Sequence, residues 1–313
     1  MQNDSLKLYH SLNLASDISV NYLLPASSLD GFDMDTVYVE CSYMEYEGNT
    51  EREEIRLQLL PTLQDGYYYF TLSGLTSVHM SNRLQAVLYG TRGRQPYYSP
   101  VDDYSIGDYA YSQLNKEGCS LELKTLCANL LRYGAAAQSF KGYRTDSLVD
   151  RAMTDAHRAY LTDLDTVTFG GTNQVLGDLP NPAVTWVGKS LDLGSKISLK
   201  FIFSTAAYSG SMEELSLRVD YLDYTGSTQS VVLTNLESYK PENCYYAFSF
   251  DGLLAAELRQ VVSVAVYQGD RQISPTLQYS ADTYGNNKTG PLLTLCKAVF
   301  AYSDSALAYF APQ

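Results

Sequence analysis

Tryptophan occurs once, histidine three times and cysteine five times in 313 residues, and each scarcity closes off a class of chemistry. His10, His79 and His157 stand apart, with no second His, Cys or carboxylate pair at the spacing of a zinc site, so no metal or cofactor is expected. The odd cysteine count argues against a disulfide framework. Cys41, Cys127 and Cys296 fall within apolar patterns and read as small buried hydrophobes, while Cys119 and Cys244 are not expected to pair. Basic residues are outnumbered 22 to 35, for a net charge of −13, and they are scattered. Nucleic acid and anionic membrane surfaces would be repelled. No apolar run approaches the roughly 20 residues that span a bilayer, so membrane insertion is not expected. Met1-Gln-Asn-Asp-Ser5 has neither the basic start nor the apolar stretch of a signal peptide, so an export signal is expected only on a longer parent.

Catalytic signatures are missing too. There is no Gly-x-Ser-x-Gly elbow, no Gly-rich phosphate loop and no Cys/His nucleophile pattern. A glycosidase needs two carboxylates about 5–10 Å apart across a cleft, and nothing in the sequence marks such a pair among the 35 acidic residues. The expectation is a non-catalytic protein. The acidic stretch Asp30-Gly-Phe-Asp33-Met-Asp35 invites a calcium reading, but the twelfth position counted from Asp30 is Cys41 rather than the required Glu. It reads as a solvated turn.

What the chain does have is a repeat. Ile18-Ser-Val20 returns as Ile197-Ser-Leu199, a shift of 197 − 18 = 179; Val37, Val39 and Cys41 return as Leu215, Leu217 and Val219, with 215 − 37 = 178. Phe70, Gly74, Leu75 and Tyr89 return as Phe248, Gly252, Leu253 and Tyr267, again at 178. The shift then drops to 279 − 104 = 175 at Tyr104/Tyr279 and to 296 − 127 = 169 at Cys127/Cys296. A shift that holds through strands and falls at loops describes a duplicated domain with shortened loops.

Within each copy, apolar and polar residues alternate over 11–24, 36–46, 52–60 and 67–72, the period of half-buried strands. Ser105-Ile-Gly-Asp108 has the form of a capping box and predicts a short helix over 106–115. A second helix is predicted from Leu121, carrying Leu126, Cys127, Leu130 and Tyr133 on one face, with Gly134 keeping it slim. Thr145–Asp163 reads as a polar helix. Gly170-Gly171 and Asp178-Leu-Pro-Asn-Pro182 read as breakers. The expected architecture is mostly β with α: two tandem antiparallel β-sandwich (Ig-like) domains, each closed by a C-terminal helical pair, with domain one over 1–165, a linker over 166–183 and domain two over 184–313.

The stretch Tyr104-Ser-Ile-Gly-Asp-Tyr109 followed by Leu126-Cys-Ala-Asn-Leu-Leu-Arg-Tyr133-Gly-Ala-Ala-Ala-Gln138 resembles the repeat module of large secreted or surface proteins from clostridial-type gut anaerobes. The resemblance covers essentially residues 8–143. It is diluted in the second copy, where Tyr302-Ser-Asp-Ser-Ala-Leu replaces Tyr-Gly-Ala-Ala-Ala-Gln and Thr283 replaces Asp108. It implies export to the cell surface or medium, a multi-domain parent and a non-catalytic role; free thiols suit an anaerobic habitat. It assigns no activity and no functional residues.

Tyrosine is abundant, 28 against 10 Phe, and sugars stack on aromatic rings presented by rigid strands. Tyr67 and Tyr245 are repeat equivalents, out of phase with the inward Tyr68 and Tyr246, so they are predicted to face outward as ligand-binding residues. Tyr69, Tyr97 and Tyr98 would extend that platform in the first copy only. The expected partner is a glycan or a surface protein, bound by a monomeric fragment. The competing reading is an architectural spacer; a glycoside-active enzyme stands third. A binder requires an outward aromatic cluster or groove in one copy, whereas a spacer requires scattered tyrosines.

Overall fold

In the computed structural model, which describes residues 1–14, 18–177, 179–193 and 197–311, the chain divides into two units, Met1–Thr162 and Asp163–Gln313. Unit 1 is built on strands that obey the period-two pattern. β1 (Tyr9–Asn13), β2 (Ser19–Pro25), β6 (Tyr67–Leu72) and β5 (Thr62–Gln64) form one antiparallel sheet in that order. β4 (Thr50–Leu59), β3 (Asp33–Glu47), β7 (Leu84–Arg92) and β8 (Gln95–Tyr98) form the other, with β9 (Asp102–Tyr104) also on β7. Residues 15–17, inside the strand expected over 11–24, lie outside the described residues. Val20, Tyr22, Leu24, Phe70 and Leu72 from the first sheet are buried, as are Val37, Val39, Cys41, Ala86 and Leu88 from the second. The Tyr22 hydroxyl lies 3.6 Å from Cys41 Sγ, so the two apolar faces meet. Asp65 and Gly66 both take positive φ, 49° and 79°, in the β5–β6 hairpin, which is the conformation a type I′ turn demands.

The helices fall where the sequence puts them: α1 (Ile106–Asn115) and α2 (Leu121–Lys141). Ser105 caps α1 by accepting the Asp108 amide at 3.0 Å, but Asp108 does not complete the box. Its carboxylate pairs instead with Arg83, which also holds Asp103. The Tyr133–Gln138 motif is a packing device. A Cβ on Gly134 would lie 2.7 Å from Met80 Sδ and 2.8 Å from Val149 Cγ1, and one on Gly107 of α1 would lie 2.9 Å from Val149 Cγ2. Val149 therefore sits wedged between two glycines on neighbouring helices. Gln138, fully buried, donates to Ser81 Oγ at 2.9 Å and accepts the Val149 amide at 2.9 Å. The slimness of α2 thus serves Val149 and the 3-10 turn Ser77–Ser81, which lie directly against it.

The polar helix expected over 145–163 is a strap of turns, with only α3 (Asp155–Arg158) helical. Its polar groups are used elsewhere: the Arg144 amide donates to the Gly48 carbonyl at 2.7 Å, and the Thr145 amide to Asn49 Oδ1 at 2.6 Å. The Val149 amide, which a helix starting at 145 would bond to its own first turn, goes instead to Gln138 Oε1.

Unit 2 repeats these strand orders, with one strand added to the second sheet. β11 (Thr185–Leu193), β12 (Ile197–Ser204), β16 (Tyr245–Phe250) and β15 (Glu237–Lys240) form one sheet. The other runs β10 (Asn173–Leu176), β19 (Thr276–Tyr279), β17 (Val262–Gln268), β13 (Leu215–Leu222), β14 (Thr228–Leu233), with β18 (Arg271–Gln272) also on β17. Two expectations are corrected here. Residues 166–183 are not a linker, because β10 pairs antiparallel with β19, Asn173 opposite Tyr279. The Gly170-Gly171 pair that reads as a breaker is a close-approach point: a Cβ on Gly171 would overlap Asp282 and Ser280. The preceding residues also belong to unit 2, since Val167 is buried and Phe169 packs edge-on against Phe300 at 5.8 Å. Asp178 lies outside the described residues.

The second unit also lacks the expected helical pair. It keeps α4 (Gly290–Phe310), and a 3-10 turn over Ala281–Gly285 stands in for α1. Six residues separate the shifts of 175 and 169, so the chain is too short here for a first helix. Ser280, equivalent to the α1 cap, is diverted to Asp282 at 2.7 Å and to the Thr172 amide at 2.8 Å. The clasp is rebuilt with charge: Arg259 holds Asp304 through two contacts at 2.5 and 2.9 Å and lies 5.1 Å over the Phe300 ring. All five cysteines are free thiols; Cys41, Cys127 and Cys296 are buried, and burial pushes the Cys127 thiol up to about 12.

Two outcomes are expected. Gly134→Val should lower the urea stability of unit 1 by about 3 kcal/mol, the upper range of core overpacking, read from the denaturant dependence of Cys127 labelling. The second concerns His79. Its Nδ1 accepts the Thr76 amide at 3.2 Å and its Nε2 lies 3.0 Å from Glu45 Oε1. Burial lowers its pKa, with Glu45 opposing only in part. The folded chain thus favours the neutral ring, and the unfolded chain takes the proton first. Unit 1 should hold this contribution in full above about pH 6.5 and lose it as pH falls through the lower folded value. The urea midpoint of Cys127 labelling should drop over that window, and His79→Gln should flatten the drop.

Candidate functional site

The five tyrosines singled out from the sequence do not form one platform. Tyr67, 42% exposed, and Tyr69, half-buried, lie on the outer face of β6. Tyr97 and Tyr98 lie on β8, in the opposite sheet, whose outer face points the other way. Successive strand residues also face apart: Tyr97 turns to the edge of the core, 5.8 Å from the Phe32 ring, while Tyr98 faces out, 41% exposed. Tyr245 is half-buried at the start of β16, paired with Lys240 and Ser204.

The pairing of β3, β7 and β8 assembles a different set. Tyr38 stands opposite Tyr89, and Tyr89 opposite Tyr98. The Tyr38 and Tyr89 rings stack with centroids 5.3 Å apart and planes at 23°; Tyr89 and Tyr98 follow at 6.4 Å and 41°. Three rings therefore run across three strands in one register. The same face carries Glu40 on β3 and Arg56 and Gln58 on β4, with Glu40 directly opposite Gln58. Arg56 donates to Glu54 at 2.7 and 3.0 Å and to Glu40 at 3.3 Å. Burial, with Glu40 adding to it, raises the Tyr89 pKa, so its hydroxyl stays protonated at neutral pH and both donates and accepts.

Beside this ladder the register of β3 against β7 slips between Asp33 and Tyr38. Such a bulge bends a strand and re-aims its side chains. Here it opens a groove of about 450 Å³ walled by Tyr38, Tyr89, Tyr97, Pro96 and Leu60, with Asp35, Thr36, Gln58 and Thr91 as its polar side chains. Thr36 Oγ1 fastens the bulge, donating to the Asp33 carbonyl at 2.7 Å and accepting the Thr91 amide at 2.9 Å. An apolar wall with a few fixed hydrogen-bonding groups is the composition of a small-ligand cleft. Asp33 and Asp35 of the acidic stretch are strand residues here, and no cluster of three or more potential metal ligands occurs among the described residues.

Among the described residues, unit 2 carries no such ladder. The corresponding register reads Ser216, Tyr267 and Gln272, and the one remaining ring is covered by Arg218, 4.4 Å above it. Tyr38 and Tyr89 were legible only in fragments. Tyr38 falls in the outward phase of its strand and Tyr89 is a repeat equivalent of Tyr267, but only the pairing register sets them side by side.

No protein-family model and no curated protein matches the chain. Among solved structures it is similar to a glycoside hydrolase family 64 laminaripentaose-producing β-1,3-glucanase from Paenibacillus barengoltzii, complexed with laminarihexaose, at 8% identity and a TM-score of 0.21. The match covers 92% of this chain and 53% of that one, so the chain spans about half the length of the glucanase. A likeness of that size carries no argument about fold or activity.

If the ladder is a set of mutually supporting rings, a double-mutant cycle on Tyr38→Ala and Tyr89→Ala in urea denaturation should return a coupling of about 0.5–1.5 kcal/mol. Additive single effects would show the rings to be independent.

Proposed function

We propose that the chain is a non-catalytic, extracellular binding module of a larger exported protein, and that it recognises glycan through the outer face of the β4-β3-β7-β8 sheet of unit 1. The observation that carries this is the coincidence, in one copy only, of the three-ring ladder with an adjoining groove of about 450 Å³. Tyrosine suits the task because its ring supplies rigid apolar area while its hydroxyl meets the hydroxyls of a sugar. The loss of the ladder in unit 2 supports divided roles, one copy keeping the site and the other the fold. The same reading takes each unit as an Ig-like sandwich and the two as copies of one module, akin to the repeats of clostridial surface proteins; the common strand order and the shared repeat shift support it. The platform moves accordingly, from Tyr67, Tyr69 and Tyr245 to Tyr38, Tyr89 and Tyr98, with Tyr97 forming one wall of the groove.

Affinity electrophoresis and calorimetry of the intact chain against plant, host and microbial polysaccharides test the proposal. At least one glycan should bind, and Tyr89→Ala should weaken it about tenfold, the equivalent of roughly 1.4 kcal/mol, while Tyr245→Ala leaves it unchanged. Silence across the panel would sink the binding reading in favour of a spacer, and release of reducing sugar from a bound glycan would sink the non-catalytic one.

A further inference from the structure

The charge of the ladder face limits which glycan it accepts. Besides the tyrosines, the groups presented there are the carboxylates of Asp35, Glu40 and Glu54, the guanidinium of Arg56 and the neutral Gln58, Thr36 and Thr91. Three carboxylates against one cation leave 1 − 3 = −2 around the ladder and groove; farther along the same face Asp103 is paired with Arg83 at 2.8 Å. Arg56 is the cation that an anionic sugar would need, and it is already held by Glu54 through both Nε and Nη2 and by Glu40 through Nη1. None of the described residues lining the groove is basic. Arg92, next along β7, is laid over the Phe32 ring at 4.8 Å and donates to the Asp30 carbonyl at 2.8 Å, so its charge is engaged away from the ladder.

From this we infer that the face selects an uncharged glycan and turns away glycans bearing carboxylate or sulfate groups; the inference rests on the binding reading above. Sugar hydroxyls are served by what is present: Asp35 and Glu40 accept, the Gln58 amide does both, and the tyrosine and threonine hydroxyls adapt in either sense. A uronate or sulfate would face net negative charge within a Debye length, about 10 Å at 0.1 M salt, with no free guanidinium to form the bidentate pair such anions favour. The chain as a whole adds to the repulsion, at −13. Rejection of acidic glycans therefore comes from occupied cations and unpaired negative charge, and acceptance of neutral ones from stacking and hydroxyl exchange.

The experiment compares neutral polysaccharides (β-glucans, mannan, galactan) with acidic ones (polygalacturonate, alginate, chondroitin sulfate) on the intact chain. A neutral polymer should bind at least about tenfold more tightly than any acidic one. Its affinity should change by less than about twofold between 0.05 and 0.5 M NaCl, since no counterion is displaced from a neutral partner. In the double variant Glu40→Gln with Glu54→Gln, Arg56 is released, and acidic polymers should gain measurable, salt-sensitive binding while Cys127 labelling shows the fold unchanged. Tighter binding of an acidic polymer than of any neutral one by the unmodified chain, abolished by Tyr89→Ala, would overturn this inference and leave the binding reading standing. Absence of gain in the folded double variant would also overturn it, since Arg56 would then not be the blocked cation. If no polymer of either class binds, the binding reading itself fails and this inference with it.

Discussion

The alternation of β3 is the constraint on which unit 1 depends. Val37, Val39 and Cys41 are at most 2% exposed against the opposing sheet, and this burial leaves Tyr38 and Glu40 no direction but outward. A slip of one residue would exchange the two sets, placing tyrosine and glutamate in the core. The core therefore holds the register, and the register in turn lines Tyr38 up with Tyr89 and Tyr98. The bulge between Asp33 and Tyr38 lies at the start of the buried run and takes in Val37, which stays buried all the same. Site and core are two faces of one strand, and the energy that fixes one positions the other.

The helical layer shows the same economy by other means. In unit 1, two glycines, one valine and one glutamine lock α1, α2, the strap and the Ser77–Ser81 turn together. In unit 2 that apolar and amide clasp gives way to Arg259 gripping Asp304 beneath the Phe300 ring. The two solutions differ in chemistry and agree in purpose, tying the final helix to the turn that precedes β7 or β17. The Tyr133–Gln138 motif is thus explained by packing, and unit 2, where Tyr302-Ser-Asp-Ser-Ala-Leu stands in its place, is held by a different clasp.

Much of the fold was legible because local pattern and burial coincide. Strands with clean alternation, the extent of α1, the start of α2 and the buried positions of Cys41, Cys127 and Cys296 follow from spacing alone. The failures have a common cause: segments whose polar groups found distant partners. The 145–163 strap reads as a helix until Gln138 takes the Val149 amide. Residues 173–176 read as a linker until β19 offers an edge. Ser280 matches a helix cap until Asp282 and Thr172 claim it.

For the site, a two-residue period against a buried face sends Tyr67, Tyr69 and Tyr38 outward, but it did not separate Tyr97, which turns to the edge of the core, from Tyr98. The sequence by itself determined the repeat shift between the two halves, and the overall negative charge that bears on every partner. Only the tertiary structure decided which outward rings are neighbours. Tyr38, Tyr89 and Tyr98 are separated by 51 and 9 positions in the chain, and strand pairing, a long-range choice made by two sheets closing on a common core, brings them into one row. The same closure sends Tyr67 and Tyr69 to the opposite side of the unit, while strand pairing brings Glu40 to Arg56, whose other partner, Glu54, lies two residues away on its own strand.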